Sequence, residues 1–247
     1  MSQLLLQFVA YSDEKGAYVL QKAGYFALAV VCLLLVIVAA AIVSRKDRNN
    51  DLRSVRLAVS AISLTLACVT SYLKLFELPW GGSVTLFSMF FVCFVGYLYG
   101  PATGLTAAFA YSILQFLLSG GTYILTIPQV LLDYIFAFTA LGIAGFFYRR
   151  KHGLIVGYIA ACVARGVFAT LAGYMFWMDC MPDGFPKSLS FIYPIAYNFC
   201  YIGIEMALTL VVLAIPDVRK AIKNIAYEAT QNRRGAVPAA TGLKSED

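Results

Sequence analysis

Long apolar runs separated by short polar breaks divide this chain, and the runs predict its elements. The first run, Lys22–Ser44, is long enough at about 1.5 Å per helical residue to cross a hydrocarbon layer about 30 Å thick. Leu57–Phe76, Val84–Tyr99, Gly104–Leu118, Pro128–Phe147, Leu154–Trp177 and Leu189–Ile215 follow, making seven predicted spans. The period-two alternation of a membrane barrel is absent, so the chain reads as an all-α, polytopic helical membrane protein. The breaks have turn chemistry. ELPWGGSVT carries Pro79, Gly81 and Gly82 and puts Trp80 at the tip of a loop. The uncharged GPAT turn leaves only about four residues between the third and fourth spans, so those two pack as an antiparallel pair. Pro128 stands where a helix can begin without losing a hydrogen bond, and Pro216 stops the last span.

Composition agrees: 61% of the 247 residues are hydrophobic and 13% are charged, where a soluble domain carries about 25%. The net charge of +6 does not point to nucleic acid, because five basic residues lie in Arg45–Arg56, three in Arg149–Lys151 and six after Ile215. Basic residues in short loops and tails beside apolar spans mark the cytoplasmic side. The predicted layout has the N-terminus and residues 1–21 outside, the extra helix at 22–44, and a basic cytoplasmic loop at 45–55. A membrane domain at 56–216 follows, then a basic cytoplasmic tail at 217–247. That tail is expected to start helical and to be disordered past Arg233. Asp13, Glu14 and Lys15 precede the first run, so it reads as a retained helix and not a cleaved signal. The six cysteines show no paired spacing and imply neither a disulfide frame nor a metal site. No phosphate-binding loop or HExxH motif occurs, so no cofactor and no enzyme activity is expected.

Three charged residues fall inside predicted spans away from the lysines at the span ends: Asp133, Arg165 and Glu205. Such a group costs roughly 2.5–3.5 kcal/mol at a helix centre, so each needs a partner or a cavity. Arg165 and Glu205, in the sixth and seventh spans, are expected to pair as a structural ion pair. Asp133 has no basic residue in its own span, which leaves two readings: an acid held neutral by burial, or the counter-charge of a cationic ligand. Tyr123, Tyr134, Trp177, Tyr193 and Asn198 fall at a similar depth. An acid, aromatic walls and an amide together suit a flat, charged heterocycle. Ala58, Ala61, Thr65 and Cys68 make a small-residue stripe for a close helix contact, within the protein or with a partner.

The runs LPWGGSVTLF, GPATGLTAA and YILTIPQVLLDYIFAFTALGIAGFF, followed by AGYMFW and IYPIAYN, resemble the thiamine-specific substrate-binding (S) components of energy-coupling factor transporters, the ThiT or YuaJ type. The likeness covers roughly Arg56 to Pro216. It implies a six-helix core over about 54–216, leaving 22–44 as an additional helix without a counterpart. It also implies a thiamine pocket near the outer surface, beneath the loop that holds Trp80. Partners would be a transmembrane T-component and two ATP-binding-cassette ATPase subunits in the plasma membrane. By position, Asp133 matches the acid beside the thiazolium, and Tyr134 and Gly173 lie near the hydroxyethyl end. Trp177 matches the aromatic on the pyrimidine, Tyr193 and Asn198 its polar contacts, and Tyr123 a pocket aromatic. Ala61 and Thr65 match the partner-facing motif. Ala169 stands where the family places a histidine, which keeps a related pyrimidine or other vitamin open as substrate. A solitary ion-coupled thiamine carrier is the other alternative.

Overall fold

The computed structural model describes residues 9–12, 17–20, 50–78, 82–119, 126–148, 150–182 and 184–231. The expected helix at 22–44, most of the basic loop and the end of the tail lie outside them. An antiparallel hairpin joins β1 (Val9–Ser12) to β2 (Ala17–Leu20). The helical body then begins with α1 (Asn50–Ser71) and a second hairpin, β3 (Lys74–Glu77) and β4 (Ser83–Thr85). Next come α2 (Ser88–Tyr99), α3 (Pro101–Leu118), α4 (Ile127–Phe147), α5 (Gly153–Phe176), α6 (Tyr193–Ala214) and α7 (Pro216–Gln231).

Five of these stretches are long and apolar enough to cross a membrane: Ser54–Ser71, α3, α4, α5 and Lys187–Ala214, which includes α6 and the turn before it. The sixth, α2, has 12 residues and measures only about 18 Å. It need not meet lipid along its length, because it is the hub of the core. Met89, Val92, Cys93 and Val95 on it are fully buried, and the first three pack in one cluster with Tyr111, Leu141, Tyr158 and Ile202 from the surrounding helices.

Several predicted boundaries move. The second span does not run to Phe76: it stops at Ser71, and Lys74–Glu77 turns back as a strand. The loop drawn between spans is therefore a hairpin, with Leu78 donating its N–H to the Gly82 carbonyl at 2.6 Å. The third span starts at Ser88 and not at Val84, because Phe87 takes a left-handed conformation (φ 64°) that blocks a helical start before it. Pro101 begins α3 directly after Gly100. The expected antiparallel pairing of α2 and α3 is close: a Cβ at Gly104 would lie 2.7 Å from the Gly96 Cα. Backbones approach this tightly only where no side chain intervenes.

Alternating helix directions bring one set of ends together. The ends of α1, α3 and α5, the starts of α2, α4 and α6, and the β3–β4 hairpin all meet at one end of the bundle. At the opposite end α7 folds back, with Ile222, Ala226 and Ala229 packed on the core.

Candidate ligand site

Those helix ends enclose a cavity of about 340 Å³, inside the range of roughly 300–1,000 Å³ usual for small-molecule sites. Of the residues singled out in the sequence, Asp133, Tyr134, Gly173, Trp177, Tyr193 and Asn198 line it, as does Ala169. Trp80 and Tyr123 lie outside the described residues.

Asp133 is placed by the local winding of α4. Thr126 caps the helix by accepting from the Gln129 N–H at 3.3 Å, with Pro128 in the first turn. From Leu131 to Phe136 the helix widens into a π turn, with Asp133 inside it. Widened turns of this kind recur at functional sites. Asp133 Oδ2 accepts two hydrogen bonds, from Gln129 Nε2 at 2.7 Å and from the Trp177 indole Nε1 at 2.8 Å. Among the described residues its other oxygen, Oδ1, has no donor. Trp177 is thus more than an aromatic wall, since its N–H fixes the acid across 44 residues of sequence.

Asn198 is buried and largely satisfied within the protein. Its Nδ2 donates to the Pro194 carbonyl at 2.9 Å and to the Ala169 carbonyl at 3.3 Å, and its Oδ1 accepts from the Tyr201 hydroxyl at 3.0 Å. Among the described residues, one lone pair of Oδ1 remains available. Tyr193 packs edge-on against Phe185 and at a tilt against Tyr197, with centroids 5.3 and 5.9 Å apart. Tyr134 lies edge-on to Phe116, with centroids 5.3 Å apart.

The expected Arg165–Glu205 ion pair is not formed among the described residues. Arg165 lines the cavity, with its guanidinium carbon 4.2 Å from the Phe138 ring centroid and 6.0 Å from that of Tyr201. An aromatic face stabilises a guanidinium there. Glu205 instead meets Thr85, Ser88 and the Met89 N–H. The two helices pack, but their registers aim the two charges at different neighbours.

Sequence reasoning missed Gln129, Tyr197, Tyr201 and the hydroxyls of Thr85 and Ser88. Gln129 was findable four residues before Asp133, and Tyr193, Tyr197 and Tyr201 recur at a spacing of four. The hydroxyls carried no local signal.

Helical spans around one end-on chamber, with an acid held by an indole and an amide, define a multi-pass membrane protein built to bind a small molecule. The chain belongs to the thiamine transporter protein (Thia_YuaJ) family, whose profile matches residues 57–224. That is a family of transporters and not of enzymes. The chain is 28% identical over 182 residues to the thiamine transporter ThiT of Bacillus subtilis (strain 168), covering 68% of this chain and 92% of that one. A solved structure of ThiT from Listeria monocytogenes is similar with a TM-score of 0.49 and 21% identity, covering 73% of this chain and 96% of that one.

Proposed function

We propose that the chain is the thiamine-binding S-component of an energy-coupling factor uptake transporter, taking substrate from outside and passing it inward with a T-component and two ATP-binding-cassette ATPases. One observation carries the reading: an acid in an apolar span, Asp133, sits on a cavity wall with one oxygen held by two neutral donors and the other, among the described residues, without one. Gln129 and Trp177 stabilise the carboxylate without neutralising it, so its charge remains for the thiazolium. Trp177 also offers its ring face to the pyrimidine. The free lone pair of Asn198 accepts from the exocyclic amino group, and Tyr193 and Tyr134 close the sides. In this reading the cavity end is outside, and α7 with the tail is cytoplasmic.

Titration of the purified protein with thiamine, read by tryptophan fluorescence, tests the assignment. Wild type is expected to respond at micromolar thiamine. Asp133→Asn is expected to bind about 10- to 100-fold more weakly, the loss of a charge-assisted contact. A wild-type protein that shows no response ends the thiamine reading. Ala169 motivates a second reading, a related pyrimidine as substrate, because its methyl lines the cavity and its carbonyl is already taken by Asn198. A pyrimidine without the thiazolium that outcompetes thiamine in the same titration would favour it.

A further inference from the structure

Asn198 could meet a ligand with its oxygen or with its nitrogen, and its neighbours decide which. Nδ2 has two protons, and both are placed: on the Pro194 carbonyl at 2.9 Å and on the Ala169 carbonyl at 3.3 Å. A reversed amide would press Oδ1 against those two oxygens, leaving acceptors face to face in a buried place. The oxygen therefore points the other way, 3.0 Å from the Tyr201 hydroxyl. In that contact the phenol is the donor, because a carboxamide oxygen has no proton to give.

The two jobs are divided. The backbone carbonyls of α5 and α6 hold the nitrogen end and set the polarity of the amide. Among the described residues, the Tyr201 hydroxyl is the donor that holds the oxygen end. Asn198 and Tyr201 are three residues apart on α6, so they share a helix face, and both line the cavity.

The hydroxyl keeps its aim because the ring beneath it is held on several sides. The Arg165 guanidinium carbon of α5 lies 6.0 Å from the ring centroid. Tyr197 packs edge-on, with centroids 6.2 Å apart. On the hairpin side, Gly82 is so close that a Cβ there would stand 2.9 Å from Tyr201 Cδ1. A tyrosine has only two side-chain torsions to fix, and contacts from α5, α6 and the hairpin fix them.

We propose that Tyr201 is a positioning residue that acts through Asn198. Its hydroxyl takes one lone pair of Oδ1 and steadies the other as a single acceptor for a donor group of the ligand. This deepens the thiamine reading, on which only the affinity readout below rests.

The test compares full-length wild type, Tyr201→Phe, Asn198→Leu and the double variant. Phe keeps the ring that Arg165, Tyr197 and Gly82 pack against and removes only the hydroxyl. Tyr201→Phe is expected to bind thiamine about three- to tenfold more weakly than wild type. In the Asn198→Leu background the same change should alter affinity by less than about twofold, because the group it acts through is gone. A merely structural tyrosine would cost the same in both backgrounds. A second readout needs no ligand: NMR of protein labelled with nitrogen-15 at asparagine, where the signal lost in Asn198→Leu is the Asn198 carboxamide. Its protons are expected to exchange slowly with solvent in wild type and at least about threefold faster in Tyr201→Phe. Equal losses in both backgrounds overturn the proposal, as does a Tyr201→Phe variant that matches wild type in affinity or in carboxamide exchange. If Asn198→Leu does not fold, Asn198→Ser takes its place in the cycle and in the assignment. If wild type ignores thiamine, the function falls while the carboxamide signal still judges Tyr201.

Discussion

At Gly173 a single hydrogen sets how closely α5 and α6 approach beneath the cavity. A Cβ there would stand 2.8 Å from the Pro194 Cβ and 3.3 Å from Asn198 Nδ2. Gly173→Ala must push Pro194 away or unseat the Asn198 amide, and such overpacking costs about 1–3 kcal/mol. We expect a lower melting temperature and a thiamine affinity reduced by about tenfold, measured together on the purified protein. An unchanged affinity would place Gly173 outside the binding geometry. The same scale explains Trp177, whose one N–H on Asp133 ties α5 to α4 at the site.

At the scale of elements, α4 is the unusual helix. It starts as an α turn at Thr126, widens to a π turn at Leu131–Phe136, and tightens to a 3-10 turn over Ala140–Phe147. The widened turn accommodates one extra residue. Deleting Leu132 removes that residue, leaves Gln129 and Asp133 three apart, and swings the carboxylate by up to about 100°. The span keeps its apolar length, so membrane insertion should survive while thiamine binding falls more than about tenfold. Binding that persists in the deletion would show that the π turn does not place the acid. The β3–β4 hairpin works in the same way, as a short element whose position is set by what it rests on.

For the whole molecule, α1 is the element left open. Ile62 is 60% exposed and Val69 56%, on the side that also carries exposed Ala58, Ala61 and Thr65. Thr65 returns its hydroxyl to the Ala61 carbonyl at 2.9 Å, so that hydroxyl is satisfied within the helix and this stretch suits lipid or a closely packed helix. With the partner reading of Ala61 and Thr65, Ala61→Trp should leave thiamine binding intact. ATP-driven uptake in vesicles with a T-component and ATPases should drop by at least about tenfold, since a ring cannot fit a close helix crossing. Uptake that continues without any ATPase subunit would instead favour a solitary carrier.

Hydropathy by itself determined that this chain is helical and membrane-spanning, because backbone groups in lipid must bond within their own segment. It also singled out Asp133, since an acid in an apolar run is costly wherever the helix lies. Tertiary structure alone decided what the charges meet. Arg165 and Glu205 share two packed helices, yet their registers send one to aromatic faces and the other to hydroxyls 117 and 120 residues away. No local spacing encodes such contacts. The hairpin, the π turn and the hydroxyl contacts of Glu205 lie around the cavity end of the bundle, and there geometry in space outweighs the pattern along the chain.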